Sequence, residues 1–200
     1  MVSDLAVVRG GRVVFQRLGF HIGAGELLSL EGPNGAGKTS LLRVLAGFLP
    51  AFAGRIDLTL ADATHLDGDE RAHVIGWLGH QDGIKSQLSV QENLAFYARL
   101  YGQRGADLHA LLDQVGLMRA RDLPGQYLSA GMRRRLALAR LVVSARPVWL
   151  LDEPLAALDV RGKAMVGALI TAHRRHGGLV IAATHEALGL DCTRLELGAS

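Results

Sequence analysis

The chain has 200 residues, of which 49% are hydrophobic, 20% are charged and 5% are aromatic. This balance predicts one domain with a buried core, and it excludes a disordered chain and an aromatic-rich nucleic-acid platform. The net charge of +3 predicts a mildly basic surface without a dedicated nucleic-acid patch, and the apolar runs are too short for direct membrane insertion.

Short apolar runs alternate with helical patterns, which is typical of an α/β fold with a mainly parallel sheet. Leu27–Glu31 predicts a buried strand that enters a glycine-rich loop, and Lys38–Ala46 predicts the helix that follows. The other early runs predict an antiparallel β layer beside the main sheet, made of Leu5–Val8, Val13–Phe15, Leu18–Ile22, Gly54–Leu60 and Val74–Leu78.

The second half is predicted to begin with helices and to end with buried strands. Helical spacing of apolar residues from Val90 to Val115 predicts a small helical subdomain, which covers about 82–140. No linker or repeat interrupts the pattern, so residues 1–200 are expected to form a single domain. The elements predicted further along are the helix Ser129–Ala145, the strand Val148–Leu151, the helix Asp159–His176 and the strand Leu179–Ala183.

Residues 32–39 complete the phosphate-loop pattern Gly-x4-Gly-Lys-Thr between a strand and a helix. Glycines let backbone N–H groups converge on a phosphate, and the helix N-terminus adds partial positive charge. Lys38 is expected to reach the β- and γ-phosphates, and Thr39 to offer its hydroxyl to Mg²⁺. The predicted nucleotide-binding residues are Gly32, Pro33, Asn34, Gly35, Ala36, Gly37, Lys38, Thr39 and Ser40.

Two acids, Asp152 and Glu153, follow the apolar run Val148–Leu151. They emerge at the carboxyl end of a strand, where open α/β sheets bind ligands. Asp152 is predicted to hold Mg²⁺ and Glu153 to orient or deprotonate the attacking water. Helix capping is the alternative use of such acids, but the phosphate loop favours the catalytic interpretation.

Single polar residues are harder to interpret from the residues alone. Gln81 can contact Mg²⁺ or the attacking water, and His185 can hydrogen-bond a γ-phosphate, while a solvated glutamine and a capping histidine are the alternatives. Asp159 can cap its helix or contact a second subunit, and both uses stay open. Residues predicted to lie on the solvated surface are Arg133, Arg134, Arg135, His173 and His176.

The segment Leu128-Ser129-Ala130-Gly131-Met132 opens a predicted helix between the phosphate loop and Asp152-Glu153. In order and spacing, these elements resemble the ATP-binding subunit of ABC transporters over essentially the whole chain. The resemblance implies an ABC-type P-loop nucleoside triphosphatase in which Ser129, Ala130 and Gly131 of one copy cover ATP on another. It also implies a site built from catalytic Glu153, His185 and Gln81, the Mg²⁺ ligands Thr39, Gln81 and Asp152, and the D-loop residue Asp159.

Two positions depart from the family pattern. Met132 stands where the signature usually ends in Gln, although Ser129 and Gly131 are kept. Arg9 aligns near the aromatic residue that commonly stacks on adenine. A guanidinium can also stack on a base, so Arg9 is a candidate for this contact.

The stretch Trp77–Lys85, with its Gly-His-Gln-x-Gly-Ile-Lys sequence, and Ala130 resemble a narrower group, the haem-exporter ATPases of cytochrome c maturation. This implies a homodimer that binds ATP and Mg²⁺ and energises an integral-membrane subunit. It also implies a peripheral position on the cytoplasmic face of the bacterial inner membrane, with no nucleic-acid partner. The alternatives are an exporter of another cargo and a soluble ATPase acting on DNA or ribosomes. The latter is disfavoured because the segment from Gln81 to Leu128 is too short for a coiled-coil arm.

Overall fold

The structure is a computed structural model that describes residues 1–59, 65–66 and 70–198. A parallel sheet forms its centre, and an antiparallel sheet and helices pack against the two faces. The strands are β1 (Val2–Arg9), β2 (Arg12–Phe20), β3 (Leu27–Glu31), β4 (Ala53–Ile56), β5 (Leu58–Thr59), β6 (His65–Leu66), β7 (Ile75–Leu78), β8 (Val148–Asp152), β9 (Leu179–Ala183) and β10 (Thr193–Glu196).

Several helices begin at a side chain that accepts a hydrogen bond from a backbone N–H group of the first turn. Ser89, Asp107, Ser129 and Asp159 have this role, and each satisfies a donor that the helix itself leaves free. The helices are α1 (Lys38–Leu45), α2 (Arg71–Val74), α3 (Val90–Leu100), α4 (Leu108–Gln114), α5 (Ala130–Val143) and α6 (Val160–Arg175), with 3₁₀ helices at Met118–Ala120 and Gly125–Tyr127.

The central sheet has the strand order β10-β3-β9-β8-β7, and all of its strands are parallel. Every residue of β8 is buried, as expected for a strand that is covered on both faces. Because parallel strands end at the same edge, the residues that follow β3, β8 and β9 come together there. That edge carries the predicted nucleotide site.

Two strand predictions need correction. The prediction that Val74–Leu78 belongs to the antiparallel layer is wrong, because Val74 ends α2 and β7 pairs in parallel with β8. So short a strand carries no pattern that identifies its sheet. The edge strand β10 beside β3 was missed, because three of its four residues are exposed and it lacks the buried apolar run of the other parallel strands.

The antiparallel sheet has the order β2-β1-β4. Val13–Phe15 and Leu18–Ile22, predicted as separate strands, mostly form the single strand β2. Its pairing with β1 shifts register, and Arg17 within it has a left-handed φ of 53°. Residue 60, the end of the predicted strand Gly54–Leu60, lies outside the described residues.

The apolar core is divided between the two faces of the parallel sheet. On one face, Val148 and Leu150 of β8 pack with residues of α1 and the antiparallel sheet. On the other face, Trp149 and Leu151 pack with residues of α3, α5 and α6. The alternation along β8 follows from the two-residue period of a strand.

The helical pattern from Val90 to Val115 is interrupted in the structure. Helix α3 is followed by Gly102, whose φ of 74° is left-handed, and Asp107 starts the separate helix α4 by accepting from the Ala110 N–H. The helical subdomain over about 82–140 stays a prediction. Within that range α3 and α4 both contact α5.

His173 is not the solvated surface residue that its sequence position predicts. Its ring stacks on Trp149, with ring centroids 3.9 Å apart and planes 8° from parallel, and its Nε2 lies 3.1 Å from the Pro147 carbonyl oxygen. Burial lowers the pKa of His173, because a protonated imidazole would lose hydration there.

Candidate functional site

The loop from Gly32 to Gly37 joins the buried strand β3 to α1. Gly32 has φ of 130°, and a Cβ there would collide with the Leu197 carbonyl oxygen. A Cβ on Gly37, with φ of 100°, would lie 2.5 Å from Val14 Cγ1. Around Gly35 a Cβ would meet open space, so this glycine faces the cavity and the other two serve close packing.

Lys38 is the first residue of α1, and only 7% of its surface is exposed. Its Nζ donates to the carbonyl oxygens of Gly32 and Pro33, at 2.6 and 3.0 Å. The ammonium group therefore lies within the curve of its own loop. A full positive charge and a helix N-terminus together suit a phosphate group.

Thr39 and Asp152 meet although they lie far apart in the sequence. The Thr39 hydroxyl donates to the Asp152 carboxylate, with Oγ1 3.2 Å from Oδ1 and 3.1 Å from Oδ2. Asp152 ends β8 and is 6% exposed. Within the described ranges no group of three or more His, Cys, Asp or Glu side chains could hold a metal. The donor set still fits Mg²⁺, which at nucleotide sites takes one or two protein oxygens together with phosphate oxygens.

Glu153 directly follows β8 and has a left-handed φ of 49°, which is unusual for a residue with a side chain. Its N–H donates to the Ala183 carbonyl oxygen at 2.8 Å. Its carboxylate faces His185, with Oε1 3.3 Å from Nε2 and Oε2 accepting from the His185 N–H at 3.4 Å. The two residues are thus brought together at the ends of β8 and β9.

One cavity of about 840 Å³ opens at this edge of the sheet. Its lining includes Asn34 to Ser40 of the loop and helix, and the side chains of Asp152, Glu153 and His185. Gly32 and Pro33 do not line it, although their carbonyls hold Lys38. Arg9 also lines the cavity. Four further lining residues were not predicted as part of the site, namely Gly10, Val14, Arg43 and His80.

Gln81 and the signature segment lie outside this cavity. Gln81 is exposed and lines a neighbouring cleft with Ala130 and Glu153. Ser129 caps α5, its Oγ accepting from the Met132 N–H at 3.2 Å, and Ser129 and Ala130 are both exposed. A Cβ on Gly131 would lie 2.9 Å from the Ala157 carbonyl oxygen. Within one chain, the signature therefore does not reach the phosphate loop.

Arg134 is the residue of this region that the sequence analysis placed wrongly. It is 4% exposed, and its guanidinium donates to the carbonyl oxygens of Gly79, Asp152 and Glu153. The missed signal was its helical spacing from Leu138 and Leu141, which are buried on the same face of α5.

Asp159 caps α6 and also pairs with Arg135, whose Nη2 lies 2.8 Å from its Oδ1. The Gly162 N–H, which donates to the same oxygen, and then the Arg135 charge hold the pKa of the Asp159 carboxyl below its usual value. The capping role is thus seen directly. A contact with a second subunit stays a prediction.

The sequence of the chain matches a family of known proteins. A family model described as ABC transporter matches residues 15–156. This chain belongs to the ABC transporter family. The predicted fold class, an ABC-type P-loop nucleoside triphosphatase with a mainly parallel sheet and an antiparallel layer, is confirmed.

Curated relatives cover nearly the whole chain. The cytochrome c biogenesis ATP-binding export protein CcmA of Rhodopseudomonas palustris (strain BisB5) is 52% identical over 98% of this chain and 96% of that protein. The protein of the same name from Bradyrhizobium diazoefficiens is 51% identical over 96% of this chain and 94% of its own length. The protein of the same name from Hyphomonas neptunium is 47% identical over 96% of this chain and 92% of its own length.

Solved structures of ABC transporter proteins have the same fold. A putative ABC transporter ATP-binding protein from Pyrococcus furiosus superposes with a TM-score of 0.84 and 26% identity, over 98% of this chain and 96% of that one. The cbiO1 protein from Clostridium perfringens, part of the ABC transporter complex cbiONQ, superposes with a TM-score of 0.76 and 27% identity. The match covers 92% of this chain and 77% of that one. Across the described ranges of this family member, no helix is both long and apolar enough to span a membrane.

Proposed function

We propose that this chain binds and hydrolyses ATP as a subunit of an ABC exporter complex in cytochrome c-type biogenesis, where haem is exported or handled. The observation that carries the ATPase part is the convergence of Lys38, Thr39, Asp152, Glu153 and His185 around one cavity. The biogenesis part is supported by relatives at about half identity over nearly the whole chain, which share one name.

The phosphate loop and its helix bind the triphosphate. Backbone N–H groups around Gly35 and the Lys38 ammonium neutralise the β- and γ-phosphates. The Thr39 hydroxyl and the Asp152 carboxylate would hold Mg²⁺, which when bound would supply positive charge that stabilises the transferring phosphoryl group. The contact between these two side chains already places both oxygens side by side.

Glu153 accepts the proton of the attacking water or orients that water. Its carboxylate is one-third exposed and opens into the cavity, so water can reach it. His185, within hydrogen-bond reach of Glu153, senses the γ-phosphate and helps to hold the carboxylate. Gln81, in the neighbouring cleft, would contact Mg²⁺ or the attacking water.

The complete site needs two copies of the chain. Ser129, Ala130 and Gly131 of a second copy cover the nucleotide on the first, since in one chain they lie away from the phosphate loop. ATP bridges the two copies and ADP does not, so hydrolysis reopens the dimer. An integral-membrane subunit converts this motion into transport. The dimer acts peripherally, on the cytoplasmic face of the bacterial inner membrane.

The conservative variant Glu153→Gln tests the ATPase assignment. It keeps the size of the side chain and its polar character but removes the proton acceptor. We expect ATP binding to persist, hydrolysis to be lost and an ATP-dependent dimer to accumulate, as measured by phosphate release and by light scattering after gel filtration. Phosphate release at the wild-type rate would contradict the role of Glu153.

A complementation experiment tests the biogenesis assignment. In a host strain that lacks the gene for this chain, we expect covalent haem attachment to c-type cytochromes to be lost. Plasmid-borne wild type should restore it and Glu153→Gln should not. Normal cytochrome c in the deletion strain would show that the complex exports another cargo.

A further inference from the structure

Arg134 is a buried cation that lies at the centre of the site but outside the nucleotide cavity. Its side chain is 5% exposed, and a charge so buried must be paired or hydrogen-bonded. Its partners are the carbonyl oxygens of Gly79, Asp152 and Glu153, and the carboxylate of Asp82. No other role described above uses this residue.

Two of these partners flank the proposed catalytic acid. Arg134 Nη2 lies 2.5 Å from the carbonyl oxygens of both Asp152 and Glu153, which belong to the peptide groups on either side of the Glu153 Cα. Glu153 has a left-handed φ of 49°, a strained conformation that persists only when its surroundings enforce it. The guanidinium holds it from α5, and the Ala183 carbonyl holds its N–H from β9.

The other two partners flank Gln81. Arg134 Nη1 lies 2.8 Å from the Gly79 carbonyl oxygen and 3.2 Å from Asp82 Oδ1. Between Gly79 and Asp82 lie only His80, which lines the nucleotide cavity, and Gln81. One planar group therefore links both ends of the segment Gly79–Asp82, named here the Gln81 turn, to the backbone of Glu153.

We infer that Arg134 is a positioning residue for ATP hydrolysis, which fixes the Glu153 carboxylate and couples its placement to the Gln81 turn. The inference rests on the proposed role of Glu153. A guanidinium presents its donors in a fixed planar fork and serves several acceptors at once, which a lysine ammonium at the same place cannot do with the same geometry. Loss of the fork should therefore affect the chemical step more than nucleotide binding.

The test compares Arg134→Met and Arg134→Lys with the matched control Arg174→Met in the full chain. Arg174 also joins two backbone carbonyls, those of Gly25 and Asp191 at 2.8 and 2.9 Å, but it does not line the cavity. The measurements are kcat and KM for ATP, the Kd for ADP and the unfolding temperature.

For Arg134→Met we expect kcat to fall by about 10- to 100-fold, as for a misplaced general base, with the Kd for ADP unchanged. The kcat of Arg134→Lys, which keeps the charge, should lie between the values for Arg134→Met and wild type. Arg174→Met should lower the unfolding temperature without lowering kcat. Such a split between kcat and nucleotide affinity is not expected from a merely structural loss.

A folded Arg134→Met with wild-type kcat would overturn the inference, and so would a kcat loss matched by an equal loss of ADP affinity. If Arg134→Met does not fold, Arg134→Lys decides, since wild-type kcat in that variant contradicts the need for the fork. A wild-type chain that binds ADP but hydrolyses no ATP, alone or with its membrane subunit, would instead overturn the proposed function.

Discussion

The phosphate loop and the signature segment differ in how far one chain completes them. The loop lies between a buried strand and a helix, its glycines pack closely, and Lys38 is almost fully buried. The signature lies at the start of α5 with Ser129 and Ala130 exposed, outside the cavity that Lys38 lines. Both lie at helix N-termini, but only the phosphate loop shares a cavity with Asp152 and His185.

In the proposed function, this difference is the basis of a switch. A half-site that is complete in the monomer binds nucleotide at any time. A half-site that is exposed contributes only when a second copy brings it to the nucleotide, so binding and closure can be separated. Substitutions in the two regions should therefore give different phenotypes.

Lys38→Ala should have the largest effect on binding. It removes the only full charge within the loop, and we expect ATP affinity of the isolated chain to fall by about 100-fold or more, which is about 2.7 kcal/mol. Titration calorimetry measures this loss. The control is Lys163→Ala, which removes a surface ion pair with Glu186 and should bind normally. Equal losses in both variants would contradict the role of Lys38.

Ser129→Arg should separate binding from turnover. The bulky cation would occupy the face that a second copy must approach, so we expect hydrolysis to be lost while ATP affinity of the isolated chain stays at the wild-type value. Phosphate release and titration calorimetry give the two quantities. Gln91→Arg, an exposed change near the start of α3, is the control and should hydrolyse ATP normally. A loss of ATP affinity in the isolated Ser129→Arg chain would contradict the separate roles of the phosphate loop and the signature segment.

Substitution of two glycines of the loop should lower the free energy of unfolding by different amounts. Gly32→Ala forces a Cβ into the Leu197 carbonyl, and we expect the free energy of unfolding to fall by about 3 kcal/mol. Gly35→Ala meets open space and carries only the strain of its φ of 85°, so about 1 kcal/mol is expected. Urea unfolding measures both values. A larger loss for Gly35→Ala would contradict the packing described for the loop.

His173 lies at the opposite end of β8 from the nucleotide cavity, so its titration should affect stability but not nucleotide binding. Burial lowers the pKa of His173 in the folded chain, so the folded state binds its proton less readily than the unfolded state does. Above pH 6.5, the ordinary histidine value, titration of this ring should not change the free energy of unfolding. As the pH falls below that value, the free energy of unfolding should decline. His173→Phe should flatten this decline without changing ADP affinity at neutral pH. An unchanged acid slope would contradict the assignment.

Much of the phosphate half-site could be predicted from the sequence because its information is local. The strand Leu27–Glu31 has the predicted bounds, and the helix after it begins at Lys38 as expected. The sequence also predicts that Asp152 and Glu153 lie at the sheet edge, because they follow directly on the apolar run Val148–Leu151. These residues meet because parallel strands end together.

The rest depended on contacts that no local pattern carries. Arg134 looked solvated within a run of three arginines, because its acceptors are backbone carbonyls of distant segments. β7 and β10 are too short or too exposed to show which sheet they join. The His173 ring of α6 stacks on the Trp149 ring of β8, a contact between residues from separate elements that no local pattern indicates.

The central claim is that the signature of one copy covers the nucleotide bound by another. One population carries Ser129→Cys and the other Asn34→Cys, and both also carry Glu153→Gln. Cys192, the single cysteine of the natural chain, is replaced by serine in both so that only the introduced thiols can pair. The two populations are mixed under mild oxidation. We expect a disulfide-linked dimer of the two variants with ATP and none with ADP. An absence of this dimer while ATP is shown to be bound, or an equal yield with ADP, would contradict the shared site.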